Sequence, residues 1–486
     1  MQEEVKNIHL AQKLYREESK RMSDMRDWIE TLEEAGELIR IKKPVNIKTE
    51  MGALVWESRN KALLFENIVD YPGWKTLAQA PGTMKQIGLS FGVPATKAVE
   101  EYSNQLAKGP TKCEVVKTGP VKEVKWMGKD ADLTKIPINQ YWAQDGGPYI
   151  GTGLNIVKDP DTGIRNMAYH RHMVTDKRKM GCQMRTETHQ WKIYQKHEKK
   201  KEAMPIAIVI GHDPSLYYTA SWSGDINVDE LELASTLYKN KYGKPLELVK
   251  CETVDLEVPA DAEIVIEGEM PPEVREMEGP FGEFQGYFTA AMGLNPIINV
   301  KAITMRKDAM YKTLLNFRRE GDLMVQLNMS ARCLGRLKEI AGGLDIHTVY
   351  VTGDMITVII QMTQRFRGDA KFALIGALAG PYLHHKIAIA VDEDVDIYDP
   401  EDILWAISTR VNPQRDVFII PDVRGHTYDQ SLTEIGEPGK PNWQAMGSRM
   451  GIDATKPSIV NDLEERQKFE RTRPVGYGKV FLKDFF

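Results

Sequence analysis

Residues 278–287 read Glu278-Gly279-Pro280-Phe281-Gly282-Glu283-Phe284-Gln285-Gly286-Tyr287. Three glycines and a proline interrupt regular structure, so the stretch predicts a shaped loop. Its two carboxylates lie five residues apart, each beside a glycine that lets the backbone turn tightly or approach a ligand. We expect Phe281, Phe284 and Tyr287 to exclude water and raise a carboxyl pKa, which suits proton transfer. The alternative is a surface turn with two solvated glutamates.

Length and charge limit the kind of protein this chain can be. At 486 residues it is too long for one ordinary core, and about two to four domains are expected. A formal net charge of −5 argues against nucleic acid as the main partner. No run of about 18 apolar residues occurs, so no membrane span is expected. Four widely spaced cysteines without a Cys-x-x-Cys pair, and a charged start without an apolar signal segment, indicate a cytoplasmic protein with reduced thiols.

The predicted secondary structure changes once within the first 308 residues, from mixed helix and strand to mainly strand. Residues 1–40 have helical spacing, with Leu10, Leu14 and Met22 among the apolar positions and Ser23-Asp24 as a cap for a second helix. With a strand near 62–69 and a helix near 95–106, they predict a small α/β domain over residues 1–117. Residues 118–308 predict a barrel-like domain, because strand patterns dominate and Asp229–Tyr242 is the main helix. The predicted strands are 150–157, 205–211, 246–251, 263–269 and 297–305.

Strands and helices alternate again after residue 308. Helices are predicted over 327–341, 369–379 and 401–410, the last capped by Asp399 with Pro400 at its first position. Strands are predicted over 347–361, 386–391 and 417–420. This alternation predicts a sheet covered by helices over residues 309–460, followed by a charged, helical tail over 461–486.

A second polar segment, residues 164–172, starts after the turn sequence Asp159–Gly163 and predicts the return strand of a hairpin. Asn166 and Arg171 are an odd number of residues apart, so a straight strand would point them to opposite faces. Asn166 and Arg171 can contact the same ligand only if the segment bends or if its backbone groups also bind that ligand. His170 and His172 are compatible with a metal site and equally with ordinary strand histidines.

Two further polar groups suggest metal ions. Asn166, His189 and Glu230 form an oxygen and nitrogen ligand set that suits Mn²⁺ or Mg²⁺, although their spacing alone does not select them. The acidic turn Asp392–Asp396 lacks the glycine and the distal glutamate of a calcium loop. A solvated turn after a strand is the expected alternative.

Taken together, the segments resemble the UbiD family of prenylated-flavin-dependent (de)carboxylases over nearly the whole chain. The most specific block is Glu278-Gly279-Pro280-Phe281-Gly282-Glu283. The order and spacing of the blocks carry the resemblance, and the other blocks are 25–29, 32–38, 166–171, 211–214, 220–221, 263–269, 391–396 and 451–455.

The resemblance implies an α/β (α+β) fold with three domains: an N-terminal α/β domain, a central flavin-reductase-like split β-barrel, and a C-terminal α/β domain that mediates oligomerisation. It implies prenylated FMN as the cofactor, supplied by a separate flavin prenyltransferase. It also implies that Mn²⁺ (or Mg²⁺), often with K⁺ nearby, holds the cofactor phosphate. A homo-oligomer, dimer or hexamer, is expected.

The resemblance also assigns roles to individual residues. Asn166, His189 and Glu230 match the metal ligands. Glu230 is preferred to Glu232 because the family's ligand stands four residues before the position that Ala234 occupies here. Three departures leave the substrate preference open: Ala168 where glycine is common, His170 where tyrosine is frequent, and Thr188 where some relatives have glutamine. The remaining matches are Arg171, Glu278 and Glu283 as the catalytic network, Tyr169, His170 and Arg171 as the segment around the flavin, and Lys386 near its phosphate.

The expected function is reversible, non-oxidative decarboxylation of an aromatic, heteroaromatic or α,β-unsaturated carboxylic acid. Loss of CO₂ from such a carbon leaves an electron pair that a cofactor has to accept. Arg171 is expected to orient the substrate carboxylate or to hold Glu278, and Glu283 to deliver the proton that replaces CO₂. The alternatives are a physiological carboxylase of a phenol-like or aromatic substrate, and a non-catalytic subunit of a carboxylase complex.

Overall fold

The computed structural model describes residues 24–58, 60–184, 188–288, 292–315, 320–340, 343–380, 382–436 and 444–475. The chain divides into two compact units, one made of Met1–Ala331 with Gly353–Met355, the other of Arg332–Thr352 with Ile356–Phe486. The helical positions predicted before residue 24, and the tail beyond 475, lie outside the described residues. Within the described residues, no helix is long and apolar enough to cross a membrane.

The first described element of the first unit is an amphipathic helix, Met25–Glu34, which buries Trp28 and Leu32. The Asp24 side chain accepts hydrogen bonds from the backbone N–H groups of Arg26 and Asp27, so the predicted cap is confirmed. The prediction that helix extends to residue 40 is wrong. The helix ends before Gly36, which has a φ of +67°, and a strand follows. The mixed sheet of this region consists, in spatial order, of Leu38–Ile41, Ala62–Phe65, Lys75–Ala78 and Met310–Lys312. Its helices are Met51–Ser58, Met84–Phe91 and Ala98–Leu106.

A ten-stranded antiparallel sheet forms the centre of the first unit, as the β-rich pattern predicted. Its apolar face buries residues such as Ile208, Ile266 and Ile298, which are inaccessible to solvent. The strands along the sheet are Tyr149–Ile150, His172–Asp176, Lys179–Cys182, Gly293–Met305, Ile264–Met270, Met204–Ile210, Leu154–Lys158 and Arg165–Tyr169, with Arg275–Glu278 and Val124–Met127 also paired to Gly293–Met305.

Three α-helices accompany this sheet, whereas the sequence predicted one main helix. They are His189–Lys200, Pro214–Ala220 and Glu230–Tyr242. The first was missed because its exposed face is a run of charges and only Ile193 and Tyr194 among its apolar residues are fully buried. A small sheet beside them contains Glu257–Pro259, Glu247–Lys250 and Glu114–Val115. Short 3₁₀ turns cover Ala95–Lys97, Pro120–Lys122, Gly128–Asp130 and Leu133–Lys135.

The second unit contains a six-stranded sheet with helices, as the alternating pattern predicted. The strand predicted over 347–361 is wrong, since a turn separates two antiparallel strands there. Asp399 caps the helix Pro400–Arg410 as expected. The strands are Asp345–Val351, Thr357–Thr363, Ile387–Val391, Gln444–Ala454 and Val417–Gly425, with Thr433–Ile435 at the edge, and the helices are Asp369–Leu378, Pro400–Arg410, Pro413–Asp416 and Leu463–Gln467. The helix Glu320–Glu339 contains the division between the units.

The acidic turn after the strand Ile387–Val391 is solvated only in part, because Glu393 and Asp396 are exposed whereas Asp392 is buried. Asp392 is fully buried, and its carboxylate contacts Arg466 at 2.6 Å and Arg410 at 3.5 Å. Asp394 pairs with Arg410 at 2.8 Å. Arginines therefore pair with Asp392 and Asp394, the two less exposed carboxylates of the turn. Across the described residues, no group of three or more His, Cys, Asp or Glu side chains is placed to hold a metal ion.

A buried lysine gives the first unit a predictable response to pH. Lys312 Nζ donates to Ala80 O at 3.0 Å and lies 5.0 Å from the centroid of the Tyr217 ring. Burial lowers the pKa of Lys312 from 10.5 to about 7. Between these values the unfolded chain binds a proton that the folded chain does not, so stability rises with pH across the window.

We expect the substitution Lys312→Met to abolish this rise. Between about pH 7.5 and about pH 9.5, wild type should gain roughly 2–3 kcal/mol more unfolding free energy than the variant. Urea denaturation at both pH values measures the difference. Lys75→Met, an exposed lysine on the adjacent strand, is the control and should keep the wild-type slope. Parallel pH profiles for wild type and Lys312→Met would contradict the assignment.

Candidate active site

The polar segment 164–172 is interrupted by a break between two strands. The strand Arg165–Tyr169 pairs with Leu154–Lys158 as the predicted hairpin, and the chain leaves the ladder at His170 and Arg171. The next strand, His172–Asp176, pairs with different neighbours. The chain is irregular at 170–171. The alternation of side chains between the two faces of a strand therefore does not determine the direction of the Arg171 side chain.

Arg171 holds both carboxylates of the loop 278–287. Its Nε and Nη2 donate to the two oxygens of Glu278, each at 2.9 Å, in a bidentate pair. Its Nη1 donates to Glu283 Oε1 at 2.5 Å. All three side chains are buried, with exposures of 9% for Arg171, 1% for Glu278 and 2% for Glu283. The predicted loop therefore carries its carboxylates inward, and the solvated alternative is wrong.

The turn at Glu278 depends on backbone geometry as well as on charge. The strand Arg275–Glu278 ends at this glutamate, and Gly279 follows with a φ of +101°, which favours glycine. Phe281 is buried, and its ring lies 4.5 Å from the guanidinium carbon of Arg171. Tyr287 is 60% exposed, so its expected role in excluding water is wrong.

Glu278 is saturated with donors. In addition to Arg171, Tyr149 Oη donates to Oε1 at 2.9 Å and Asn295 Nδ2 donates to Oε2 at 3.2 Å. These four hydrogen bonds occupy both oxygens of the Glu278 carboxylate. Glu278 is thus built to hold Arg171 in place.

The charges of the trio favour a mobile proton. Within the trio, two buried carboxylates and one buried guanidinium carry one excess negative charge. A proton on Glu283 brings the net charge of the trio to zero. Glu283 can therefore alternate between acid and base while Arg171 and Glu278 remain a fixed ion pair.

A second cluster contains the predicted metal ligands. Asn166 Nδ2 donates to Glu230 Oε1 at 3.0 Å, and His189 Nδ1 lies 3.6 Å from the same oxygen. Burial raises the pKa of Glu230, opposed mainly by its contact with His189. Asn166 Oδ1 is buried and has no hydrogen-bond partner among the described residues. An orphaned oxygen beside a carboxylate and an imidazole is the donor set that a divalent cation requires.

The other predicted site residues are Tyr169 and His170 in the first unit and Lys386 in the second unit. Tyr169 and His170 lie between the two clusters in sequence, and His170 Nδ1 contacts Gln183 O at 3.1 Å. Burial lowers the pKa of His170 to about 4 and that of His172 to about 3, so both are neutral at physiological pH. Lys386 belongs to the second unit, where it pairs with Asp429 at 2.6 Å, and its placement near a phosphate stays a prediction.

Three contributors to the site were missed from the sequence. Tyr149 and Asn295 are separated from Glu278 by 129 and 17 positions, and no local pattern links them to it. The third is Asp145, a buried carboxylate that accepts a hydrogen bond from the backbone N–H of Gly282 at 3.0 Å. The pair Gly146-Gly147 after Asp145 is a signal of close backbone approach that could have marked this segment.

Comparison with known proteins defines the class to which this fold and site belong. Three family models match in order: the 3-octaprenyl-4-hydroxybenzoate carboxy-lyase N-terminal domain over residues 29–106, its Rift-related domain over 114–318 and its C-terminal domain over 322–454. These matches identify a carboxy-lyase. The chain belongs to the UbiD family, and the predicted family and fold class are confirmed.

Individual relatives agree with this assignment. Anhydromevalonate phosphate decarboxylase of Methanothermobacter thermautotrophicus is 35% identical over 70% of this chain and 76% of its own length. Phenolic acid decarboxylase of Sedimentibacter hydroxybenzoicus is 32% identical over 89% of this chain and 92% of its own. The UbiD-class enzyme HmfF of Pelotomaculum thermopropionicum, solved with FMN, matches 95% of this chain and all of its own with a TM-score of 0.85 at 33% identity. An evolved dimeric form of HmfF, solved with prFMN, matches 96% of this chain and 100% of its own at a TM-score of 0.82 and 32% identity.

Proposed function

We propose that this protein is a prenylated-FMN-dependent decarboxylase of an aromatic, heteroaromatic or α,β-unsaturated carboxylic acid. The observation that carries the proposal is the buried trio in which Arg171 bridges Glu278 and Glu283. The HmfF complexes with FMN and prFMN support the choice of cofactor. The relatives act on unlike acids, one a phosphorylated acid and one a phenolic acid by name, so the class of acid is as far as the proposal goes.

The ligand cluster would bind the cofactor through a metal ion. Asn166, His189 and Glu230 would hold Mn²⁺ or Mg²⁺, and the orphaned Asn166 oxygen is the observation that fits such an ion. Tyr169, His170 and Arg171 would lie along the flavin, and Lys386 near its phosphate, with K⁺ as a further ion. When bound, prenylated FMN supplies an acceptor for the electron pair that departing CO₂ leaves on the substrate carbon.

The chain's own residues would supply binding and proton transfer. Arg171, fixed by Glu278, offers a positive charge that orients the substrate carboxylate. The bond between the substrate carbon and its carboxyl group breaks, and CO₂ leaves. Glu283 then gives its proton to that carbon and becomes a carboxylate, which takes a new proton from solvent. The buried surroundings limit water at the reacting carbon.

The same groups serve the reverse reaction, so carboxylation of a phenol-like substrate at high CO₂ remains compatible with the site. A non-catalytic subunit is disfavoured, because such a protein does not need the bridged carboxylates to be buried and fully hydrogen-bonded. We further propose a flavin prenyltransferase as the supplier of the cofactor and a cytoplasmic location.

The proposed function is tested by producing the protein with and without a flavin prenyltransferase. The purified product of co-production should release CO₂ from at least one acid in a panel of aryl, heteroaryl and enoyl acids. The product made without the prenyltransferase should not. Release in both cases, or in neither, would contradict the proposal.

We also propose that the chain forms a homo-oligomer, a dimer or a hexamer, through its C-terminal domain. The dimeric form of HmfF supports this proposal. Light scattering at micromolar concentration should give a mass of at least two chains. A monomeric mass would contradict it.

His189→Ala tests the ligand cluster without relying on turnover. Loss of an imidazole ligand should lower bound Mn²⁺ by at least about ten-fold in metal analysis, while thermal stability changes little because His189 is partly exposed. His197→Ala on the same helix is the control: its buried side chain should matter for stability, and the metal content of the folded protein should persist. Equal loss of metal in the two variants would assign His189 a structural role instead.

A further inference from the structure

The segment 139–148 packs against the loop that carries Glu283. It has no long regular element, and it contacts residues 280–282. Gly146 N donates to Pro280 O at 2.8 Å, and a side chain at position 146 would overlap the Gly279 carbonyl oxygen. A side chain at Gly282 would overlap the Trp142 ring, so the two segments fit only because both positions are glycine.

Asp145 joins these two segments. One carboxylate oxygen accepts from Gly282 N at 3.0 Å and the other from Trp142 N at 3.1 Å. The side chain is 8% exposed, and its backbone is fixed by Trp142 O and by Gln140 Nε2, each at 3.0 Å. Gly282 immediately precedes Glu283, so the hydrogen bond from Gly282 N restrains the peptide that carries the proposed acid.

Resting on the proposed function, we propose that Asp145 is a positioning residue, which sets the place of Glu283 relative to Arg171 through the Gly282 amide. The loop is held at its far end by Glu283 N, which donates to Tyr287 O at 3.0 Å. Asp145 supplies the restraint at the near end. Burying a carboxylate is costly, and the two backbone donors offset part of this cost while they fix the Gly282 peptide relative to Trp142.

The electrostatic surroundings agree with an ionised Asp145 during assays near pH 8. Burial raises its pKa to about 6, opposed by the hydrogen bonds from Trp142 and Gly282 and by the charge of Arg171. The charge of Glu278 raises this pKa, and the Asp145 carboxylate in turn contributes to the raised pKa of Tyr149. The carboxylate is thus available as a double acceptor under those conditions.

Two variants of graded severity test the role. Asp145→Ala removes both acceptors, and Asp145→Asn keeps one amide oxygen that can still accept from Gly282 N. The matched control is Asp132→Asn. In the wild type, Asp132 is 7% exposed, and its carboxylate accepts a hydrogen bond from the backbone N–H of Thr134, away from the loop. Amide hydrogen exchange of residues 279–288, measured on the whole protein, reports on the loop directly and does not require turnover.

We expect faster exchange at Gly282 and Glu283 in Asp145→Ala, a smaller increase in Asp145→Asn, and none in Asp132→Asn. The turnover number should fall by about ten-fold or more in Asp145→Ala, because a displacement near 1 Å at a reacting group has a large effect. Cofactor content and KM should stay near wild type, since neither depends on the Gly282 amide.

The inference is overturned if loop exchange is unchanged in both Asp145 variants, or if exchange increases while turnover does not fall. It is equally overturned if cofactor is lost in parallel with turnover, which would mark Asp145 as merely structural. Should Asp145→Ala not fold, Asp145→Asn decides the question alone. If wild type releases no CO₂ from any acid, the proposed function fails, and the exchange result still decides whether Asp145 holds the loop.

Discussion

Glu283→Gln is expected to lower turnover by about two orders of magnitude or more, the usual scale for losing a general acid. The amide keeps the shape of the side chain and can still accept a hydrogen bond from Arg171 through its oxygen. It cannot deliver a proton to the substrate carbon. Cofactor and metal content should persist, because Asn166, His189 and Glu230 form a separate cluster.

The proton-transfer step can be followed on its own in this variant. Exchange of the product's ring or vinyl hydrogen with D₂O uses the same transfer in reverse, so it should fall in parallel with turnover. Glu267→Gln is a control, because Glu267 is equally buried and accepts from the backbone of Glu252 and Thr253 far along the sheet. Near-normal turnover and exchange in Glu283→Gln would show that another group delivers the proton, with Glu278 as the remaining candidate.

Arg171→Ala should affect the protein more broadly than any other single change at the site. It leaves Glu278 and Glu283 buried without their common cation, a change that typically costs about 3–5 kcal/mol of stability. It also removes the charge that would orient the substrate carboxylate, so KM should rise while turnover falls at least about a hundred-fold. Arg171→Lys keeps the charge without the bidentate fork and should recover only part of either loss.

The control for Arg171 is another buried arginine between two carboxylates. Arg306 contacts Asp24 at 2.6 Å and Glu263 at 3.7 Å. Arg306→Ala should lower the free energy of unfolding by a similar amount, and the folded fraction should keep its turnover number. If both variants lose stability and activity in the same ratio, the contribution of Arg171 is to the fold and not to the reaction.

Local patterns predicted the elements whose signals lie within a few residues of each other. Asp24 and Asp399 were recognised as helix caps because a cap and its helix are adjacent in the chain. The hairpin at Asp159–Gly163 was recognised from its turn residues. The helix His189–Lys200 was not, since its apolar positions are few and its charges mask the helical period.

The site itself could be predicted only in part. Glu278 and Glu283 were identified because proline and three glycines marked their loop, and the family resemblance added Arg171. Tyr149, Asn295 and Asp145 act through contacts between segments far apart in sequence, which no local pattern encodes. The irregular chain at 170–171 likewise follows from tertiary pairing, because the strands on its two sides have different partners.

We propose that prenylated FMN and Glu283 together carry out decarboxylation, and CO₂ release is the most direct measurement of this function. The measurement compares wild type and Glu283→Gln, both produced with a flavin prenyltransferase and loaded to the same cofactor content, on one panel of unsaturated carboxylic acids. We expect CO₂ from at least one acid with wild type, and release slower by about a hundred-fold with Glu283→Gln. No release by the loaded wild type, or equal release by the two proteins, would contradict it.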